Sequence, residues 1–387
     1  MINTIIKDQF YKKLETLEYG RLTLKTPEGK VEVFEGRNSG EAADIEIRDW
    51  RVVSNMARKG DIGFAEDYRA QKWCSQNLPG LVTLGLQNRA AFQNYVLGKT
   101  FARTISMLSY YLRLNTLQGS RKNIHAHYDL GNAFYKLWLD PTMTYSSALF
   151  HNETDTLEQA QLNKYDRIID TLEAQSGSIL EIGCGWGGMA ERAIQKGDFD
   201  IKGITLSPAQ QEFAQARLDG KAKIALEDYR LQQGTFDRIV SIEMFEAVGE
   251  KYWPTYFRKI KDLLNKDGKA VIQTITINEH DFPKYRMGGD FIRTYIFPGG
   301  MLPSQSVFQR EAEKAGLKIA TPFYFGQNYA DTLMLWLQKF DTQRQDVLNL
   351  GFDEGFIRLW RFYLAACMAG FRTGRTDVMQ VEIAHAG

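Results

Sequence analysis

The 387-residue chain predicts an α/β protein built on a parallel, doubly wound sheet, preceded by a smaller α+β amino-terminal domain. Three observations carry that expectation. From about Ile124 onward, short apolar runs alternate with helical patterning, the signature of repeated strand–helix units. The first of these strands runs into the glycine-rich turn GCGWGG, Gly183 to Gly188. Near the amino terminus, RLTLKTPEGKVEVFEG alternates apolar and polar residues around a Pro-Glu-Gly turn, as a β-hairpin does.

The elements follow in order. After the hairpin, EAADIEIRDWRVVSNMARKGDIGFAEDYRAQKW reads as a strand and then helical patterning. AFQNYVLGKTFARTISMLSYYLRL is helical, with Lys99, Arg103 and Arg113 among aromatic and aliphatic residues. Such a stripe either packs on a neighbouring helix or lies on an anionic bilayer. LNTLQGSRKN is a polar connector, which divides the chain into an amino-terminal domain of residues 1–118 and a carboxyl-terminal domain of 119–387. SILEI is a buried strand, GMAERAIQKG a helix closed by Gly197, and DIKGITL a second strand. SPAQQEFAQARLDG is a helix with Ser207 as N-cap and Pro208 at its first position. KIALED and FDRIVSIEM are further strands, WPTYFRKIKDLLNKDG a helix ending at Gly268, and KAVIQTITI a fifth strand.

Composition narrows the function. Apolar residues make up 44% and charged residues 25%, an ordinary globular balance. A net charge of +1 gives no global field for nucleic acid. Cys74, Cys184 and Cys367 lie far apart with no paired metal spacing, so reduced thiols in a cytoplasmic compartment are expected. No run approaches the ~18–20 apolar residues that span a bilayer, so at most a peripheral membrane association is expected.

The glycine turn fits G-x-G-x-x-G, yet a dinucleotide site wants a carboxylate at the end of the second strand, and GITLS offers Thr205 and Ser207 instead. Glu181 introduces the turn, and Glu227 and Asp228 follow the third strand. That layout suits S-adenosylmethionine, whose ribose hydroxyls and adenine amine seek acceptors while glycines allow close backbone approach. The plain alternative is that the glycines only make a tight strand-to-helix turn.

HYDLGN, LDPTMTYSSALF, LEIGCGWGGMAERA, GITLSPAQ, EDYR, FDRIVSIEMFEAVG, FIRTYIFPGGMLPS, NYADTLMLW and RFYLAACMAGFR occur in that order across about residues 121–387. In these nine stretches the chain resembles the cyclopropane fatty acyl phospholipid synthases and their mycolic acid relatives. The resemblance implies a class I methyltransferase (Rossmann-like) fold with a helical lipid-binding cover, and an amino-terminal domain making lipid, membrane or dimer contacts. It implies methyl transfer from S-adenosylmethionine to the cis double bond of a phospholipid acyl chain. The cofactor would touch Tyr145, Ser146, Gly183, Gly185, Gly187, Thr205, Leu206, Gln210, Glu227 and Asp228.

Methyl transfer leaves a carbocation, which needs a dry site lined by aromatic faces. Tyr135, Trp138, Tyr145, Phe245, Tyr295, Phe297, Tyr329 and Trp336 fall in or beside the matching stretches, with Tyr329 the first candidate. A proton must then leave, and the family's base is a bicarbonate held by a glutamate, a histidine, a tyrosine, a cysteine and strand backbone. These map to Glu246, Tyr329 and the backbone at Ile275, but Ser147 stands at the family cysteine and Gln273 at the family histidine. With the anion site so altered, Glu246 itself is a candidate base. Loss of the proton from the new methyl carbon closes a cyclopropane, the expected product; loss from a chain carbon gives a methyl- or methylene-branched chain, including furan fatty acid precursors. Cys367 matches a cysteine once taken as catalytic, and a small buried hydrophobe is its expected role. His127 is read as orienting the DPTMTYSS turn or as a structural histidine. Lys284, Arg286 and Arg293 are read as meeting lipid phosphates, with an internal ion pair the alternative for Arg293. Two other functions stay open: a methyltransferase for a small polar metabolite, and a lipid sensor that binds cofactor without turnover. The expected location is the cytoplasmic face of a membrane, as a peripheral protein and a homodimer.

Overall fold

The computed structural model describes residues 2–92 and 130–386. Lys99, Arg103, Arg113, the connector from Leu114 to Asn123, and His127 lie outside the described residues. The chain forms two compact units, one of Met1–Leu112, Met287–Ile296 and Leu333–Arg375, the other of Arg113–Arg286, Phe297–Thr332 and Thr376–Gly387. Two late segments therefore return to the first unit, where the sequence expectation was a single boundary near residue 118. The cause is apolar burial: the helix Glu354–Arg372 buries Trp360, Phe362, Leu364 and Phe371. Phe362 also meets the edges of the Phe64 and Trp73 rings.

The first unit contains a four-stranded sheet ordered β2-β1-β3-β4, with β1 Tyr19–Lys25, β2 Val31–Glu35, β3 Asn38–Ile47 and β4 Trp73–Cys74. β1 and β2 form the expected antiparallel hairpin, while β3 runs parallel to β1. Gly29, at φ +84°, supplies the left-handed turn residue, and its N–H donates to the Thr26 carbonyl at 2.9 Å. Leu22, Leu24, Ile45 and Ile47 share the buried register of β1 and β3. The unit encloses an apolar cavity of about 380 Å³ lined by residues including Phe10, Leu22, Ile45, Val53, Phe64 and Phe362.

The second unit is built on a sheet ordered β10-β12-β9-β8-β5-β6-β7. β5 (Ser176–Ile182), β6 (Asp198–Thr205), β7 (Lys223–Leu226), β8 (Phe236–Ile242) and β9 (Leu264–Ile277) are parallel, in the order a doubly wound fold takes. β12 (Thr376–His385) adds to β9 in antiparallel register, placing Gln380 opposite Gln273. Short β10 (Leu317–Ile319) and β11 (Phe323–Tyr324) pair with β12 in turn.

The helix expected to end at Gly268 stops at Leu263, because Leu264 turns extended and enters β9 opposite Phe236. Gly268 then passes so close to the Asp237 carbonyl that a Cβ there would lie 2.9 Å from it. The core between sheet and helices holds Ile168, Leu172, Ile179, Ala190, Ile201, Val240 and Val271, all within 1% of full burial. This packing aligns the carboxyl ends of β5 to β9, where such sheets bind ligands. Among the described residues no helix is long and apolar enough to cross a membrane.

Gly203 in β6 tests this packing. A Cβ there would meet Ile224 Cδ1 at 2.7 Å and Cys184 Cβ at 2.9 Å. Gly203→Ala is expected to destabilise the protein by about 1–3 kcal/mol through overpacking, read as a lower urea midpoint.

Candidate active site

The turn after β5 is set by its glycines. Gly183, Gly185 and Gly187 have φ of +82°, +52° and +84°. The N–H groups of Gly183 and Cys184 both donate to the Ile204 carbonyl, at 2.9 and 3.0 Å, tying the turn to β6. A Cβ on Gly185 would meet nothing within 4 Å, so this position leaves room for close approach from the cavity side. Gly187 behaves differently. A Cβ there would press on Ala214 and Leu218 at 3.2 and 3.3 Å, and the residue does not line the cavity. Its glycine serves packing against the helix Pro208–Leu218 rather than the ligand contact expected of it.

One cavity is lined by Tyr145, Ser146, Gly183, Gly185, Thr205, Leu206, Gln210, Glu227 and Asp228, nine of the ten residues expected at the cofactor. Thr205 donates its hydroxyl to Gln210 Oε1 at 2.8 Å, and Ser207 caps the helix by accepting from Gln210 N. Both acids beyond β7 are paired: Lys202 Nζ lies 2.8 Å from Glu227 Oε2, and Arg230 grips Asp228 through Nε and Nη2 at 2.8 and 2.6 Å. Glu181 also lines this cavity; its Oε2 is buried and has no hydrogen-bond partner. Burial pushes its carboxyl up to about 8, against the pull of Lys164. An acid with one unpartnered oxygen beside an open glycine turn fits a cationic, amine-bearing ligand such as S-adenosylmethionine, whose charge favours the ionised form of Glu181.

The loop from Asp140 to Ser147 closes over this cavity on a built-in scaffold. Asp140 accepts from the Thr142 N–H at 2.9 Å and from the Thr142 hydroxyl, and Thr144 Oγ1 meets Tyr165 OH at 2.8 Å. Arg217 donates to the Thr142 carbonyl at 2.6 Å, and Thr332 Oγ1 accepts from Ala148 N at 3.1 Å. Tyr145 sits among Tyr135 and Trp138, with ring centroids at 5.4 and 5.5 Å, while Trp186 of the glycine turn stands 5.0 Å from Tyr135. Lys164, fully buried, donates from Nζ to Ser146 Oγ at 2.7 Å. Burial pushes its ammonium down to about 7, opposed by Glu243, Asp140 and Glu181.

Glu246, Gln273, Tyr329 and the Ile275 backbone were expected around one bound bicarbonate; the structure gathers Tyr329 and Gln273 on the Glu243 carboxylate, and the Ile275 N–H on Glu246. Tyr329 OH donates to Glu243 Oε2 at 2.6 Å, Gln273 Nε2 to Oε1 at 2.7 Å, and the Ser147 backbone N–H to Oε1 at 2.9 Å. Gln380 Nε2 donates to Gln273 Oε1 at 3.0 Å, which turns the amide's donor end toward Glu243. Ser147 acts through its backbone, its hydroxyl being spent on the Ala148 carbonyl. Glu243 lines the cofactor cavity; Glu246, Gln273 and Tyr329 do not. Burial raises the proton affinity of Glu243, and the donors from Tyr329, Ser147 and Gln273 together with Lys164 hold it back.

Glu243 also has φ +50°, a left-handed conformation that costs a residue with a Cβ on the order of 1 kcal/mol. Its own N–H donates to the Gln273 carbonyl at 2.8 Å, which fixes the kink at the end of β8. Glu246 faces away from the cavity. Its Oε1 accepts from the Ile275 N–H and from Thr274 Oγ1, while Oε2 is buried without a partner. Burial, then the neighbouring Glu243, push its carboxyl up to about 8, so it carries a proton at neutral pH.

The other expected residues separate. Phe245 is core, packed on Trp253, Tyr256, Phe257 and Phe308. Tyr295 donates to Glu66 at 2.9 Å, and Arg293 pairs with Asp290 at 3.5 Å, both within the first unit. Arg286 pairs with Glu250 at 2.6 Å. Cys367 belongs to the first unit and is half-buried, less enclosed than the buried hydrophobe expected. Glu243, Lys164, Gln380 and Gln161, whose Nε2 donates to the Ser146 carbonyl at 2.9 Å, were not singled out from the sequence. Only Glu243 had a usable signal, an acid directly after a parallel strand, beside the glycine turn's own strand.

Residues 115–381 match the family described as mycolic acid cyclopropane synthetase. The chain is 37% identical over 364 residues to the tuberculostearic acid methyltransferase of Mycobacterium tuberculosis, covering 87% of this chain and 82% of that protein. It is 33% identical over 349 residues to the cyclopropane-fatty-acyl-phospholipid synthase of Escherichia coli, covering 89% and 88%. Among solved structures, the mycolic acid cyclopropane synthase CmaA1 complexed with SAH and CTAB aligns with a TM-score of 0.64 at 33% identity, covering 68% of this chain and 97% of that one.

The proton on Glu246 predicts a pH effect. Its folded affinity lies near 8 against an ordinary 4.5, so between those values the folded state holds a proton that the unfolded state has released. Its contribution to stability therefore falls as pH rises through that window. Glu246→Gln, neutral throughout, is expected to gain on the parent by a few kcal/mol between pH 5 and pH 8, read from paired urea titrations.

Proposed function

The chain belongs to the mycolic acid cyclopropane synthetase family of S-adenosylmethionine-dependent methyltransferases, and from that premise we propose that it methylates the cis double bond of an unsaturated phospholipid acyl chain. The observation that carries this reading is the composition of the cavity wall. A glycine turn and Glu181, whose Oε2 has no hydrogen-bond partner, share it with an aromatic-backed Tyr145 and the half-buried Glu243 carboxylate.

Bound S-adenosylmethionine supplies an electrophilic methyl group. An alkene is a poor nucleophile, so the protein's contribution is orientation, which supplies on the order of 7–11 kcal/mol in well-aligned systems. The Asp140–Ser147 loop, fastened by Asp140, Arg217 and Thr332, is the element that positions and shields the reacting carbons. Tyr145, with Tyr135 and Trp138 behind it, offers a π face to a developing cation.

Ring closure to a cyclopropane is the outcome carried by the family resemblance. A second reading, a methyl- or methylene-branched chain, is favoured by one observation: the donors of the expected anion site are occupied by Glu243, so the proton acceptor is differently placed. A relative named for methyl transfer, tuberculostearic acid methyltransferase, supports the same reading. For the first unit we propose lipid, membrane or dimer contacts at a cytoplasmic membrane face; its apolar cavity supports the lipid option.

Incubation with oleoyl- and vaccenoyl-phospholipid and cofactor is expected to add one CH₂ to the acyl chain, detected by mass spectrometry. Ozonolysis then separates the products, since a cyclopropane resists it and a branched alkene is cleaved. Methylation of a small soluble amine or alcohol with no change in acyl mass overturns the proposal.

A further inference from the structure

We infer that Glu243 is the general base of the reaction, a protein-borne carboxylate seated where the family resemblance calls for a bound bicarbonate. The inference rests on the proposed acyl-chain methylation. Four observations on separate atoms support it. Three donors from three different elements converge on one carboxylate: Tyr329 OH, the Gln273 amide and the Ser147 N–H. Of the two nearby glutamates, Glu243 lines the cofactor cavity, while Glu246 turns toward the Ile275 N–H. Gln273 is held by Gln380 with its donor end toward Glu243, an orientation suited to an anion already present. Finally, Glu243 keeps a left-handed backbone that glycine adopts freely, so the carboxylate is retained against local strain.

The substitutions read from the sequence then become consistent. A histidine and a cysteine side chain at the anion site are unnecessary when the acceptor is covalently attached. An amide donor at Gln273 and a backbone donor at Ser147 suffice to orient it. The step balances simply. For ring closure, a C–H bond of the transferred methyl breaks and its electron pair forms a C–C bond to the cationic carbon. For a branched alkene, a C–H bond on a carbon adjacent to the cation breaks and its pair forms C=C. In either case the proton forms an O–H bond on Glu243. That proton passes to solvent before the next turnover. Tyr329, Gln273, Ser147 and Gln380 are positioning residues, since they act through the carboxylate.

The test uses the full chain with unsaturated phospholipid and S-adenosylmethionine, in buffer freed of carbon dioxide and again with added bicarbonate. Wild type is expected to turn over equally in both. Glu243→Gln keeps the shape and is expected to lose about 10²-fold or more in kcat, with no recovery on adding bicarbonate because the amide fills the site. Glu243→Gly opens the space and suits the backbone; bicarbonate or formate is expected to restore its turnover in a saturable way. Cofactor binding by calorimetry reports folding of each variant, and Glu243→Ala substitutes for the glycine variant if that one fails to bind. A wild type that depends on bicarbonate overturns the assignment, as does a Glu243→Gln enzyme of near-normal kcat. A glycine or alanine variant that binds cofactor yet ignores both anions reduces Glu243 to a structural clasp. A wild type that binds cofactor and methylates no acyl lipid overturns the functional reading itself, and this assignment with it.

Discussion

A carboxylate away from bulk water must be paired or satisfied by donors, and the site is organised around that requirement at Glu243. Its oxygens are held by the Asp140–Ser147 loop through Ser147 N–H, by β9 through Gln273, and by the helix Gly326–Thr342 through Tyr329. Of the three donors only the Ser147 N–H belongs to the loop, so that bond ties the loop to Glu243. Lys164 supplies the compensating cation without a direct salt bridge, from its place under Ser146.

Charge is distributed unevenly among the three acids at the ends of β5 and β8. Burial raises all three, Glu181 and Glu246 up to about 8, and at Glu243 three donors and Lys164 oppose that rise. Environments that separate the affinities of neighbouring carboxyls assign their roles. Glu246 is the neutral structural acid bound to β9, Glu181 the acid that lines the cavity beside the glycine turn, and Glu243 the one whose rise by burial is opposed by three donors and Lys164.

Much of this was legible in the sequence, for reasons that are local. β5 to β9 are short apolar runs bounded by glycines and caps, and Ser207 and Pro208 announce their helix in two residues. Glu181, Thr205, Glu227 and Asp228 were legible as strand-end residues of a parallel sheet, while Tyr145, Ser146, Leu206 and Gln210 came from the family resemblance. β12 was not, since TDVMQVEIAH follows a long helix and gains its meaning only by pairing with β9, roughly a hundred positions earlier. Glu243 was hidden by its conformation. Read as the tail of a regular strand, its side chain has no assignable face, and the positive φ that aims it into the site leaves no mark in the residue pattern. Gly187 shows the opposite case, a motif glycine whose partner is a neighbouring helix.

If deprotonation runs through Glu243, moving its carboxylate back by one methylene slows that step alone. The most direct measurement is therefore the isotope effect on product formation in Glu243→Asp, using S-adenosylmethionine with a deuterated methyl and acyl chains deuterated beside the double bond. A primary effect well above that of wild type, from one of the two labels, is the result expected, and the label that produces it names the carbon that gives up the proton. Isotope effects identical to wild type for both labels contradict the account, because proton removal would then proceed without regard to where that carboxylate stands.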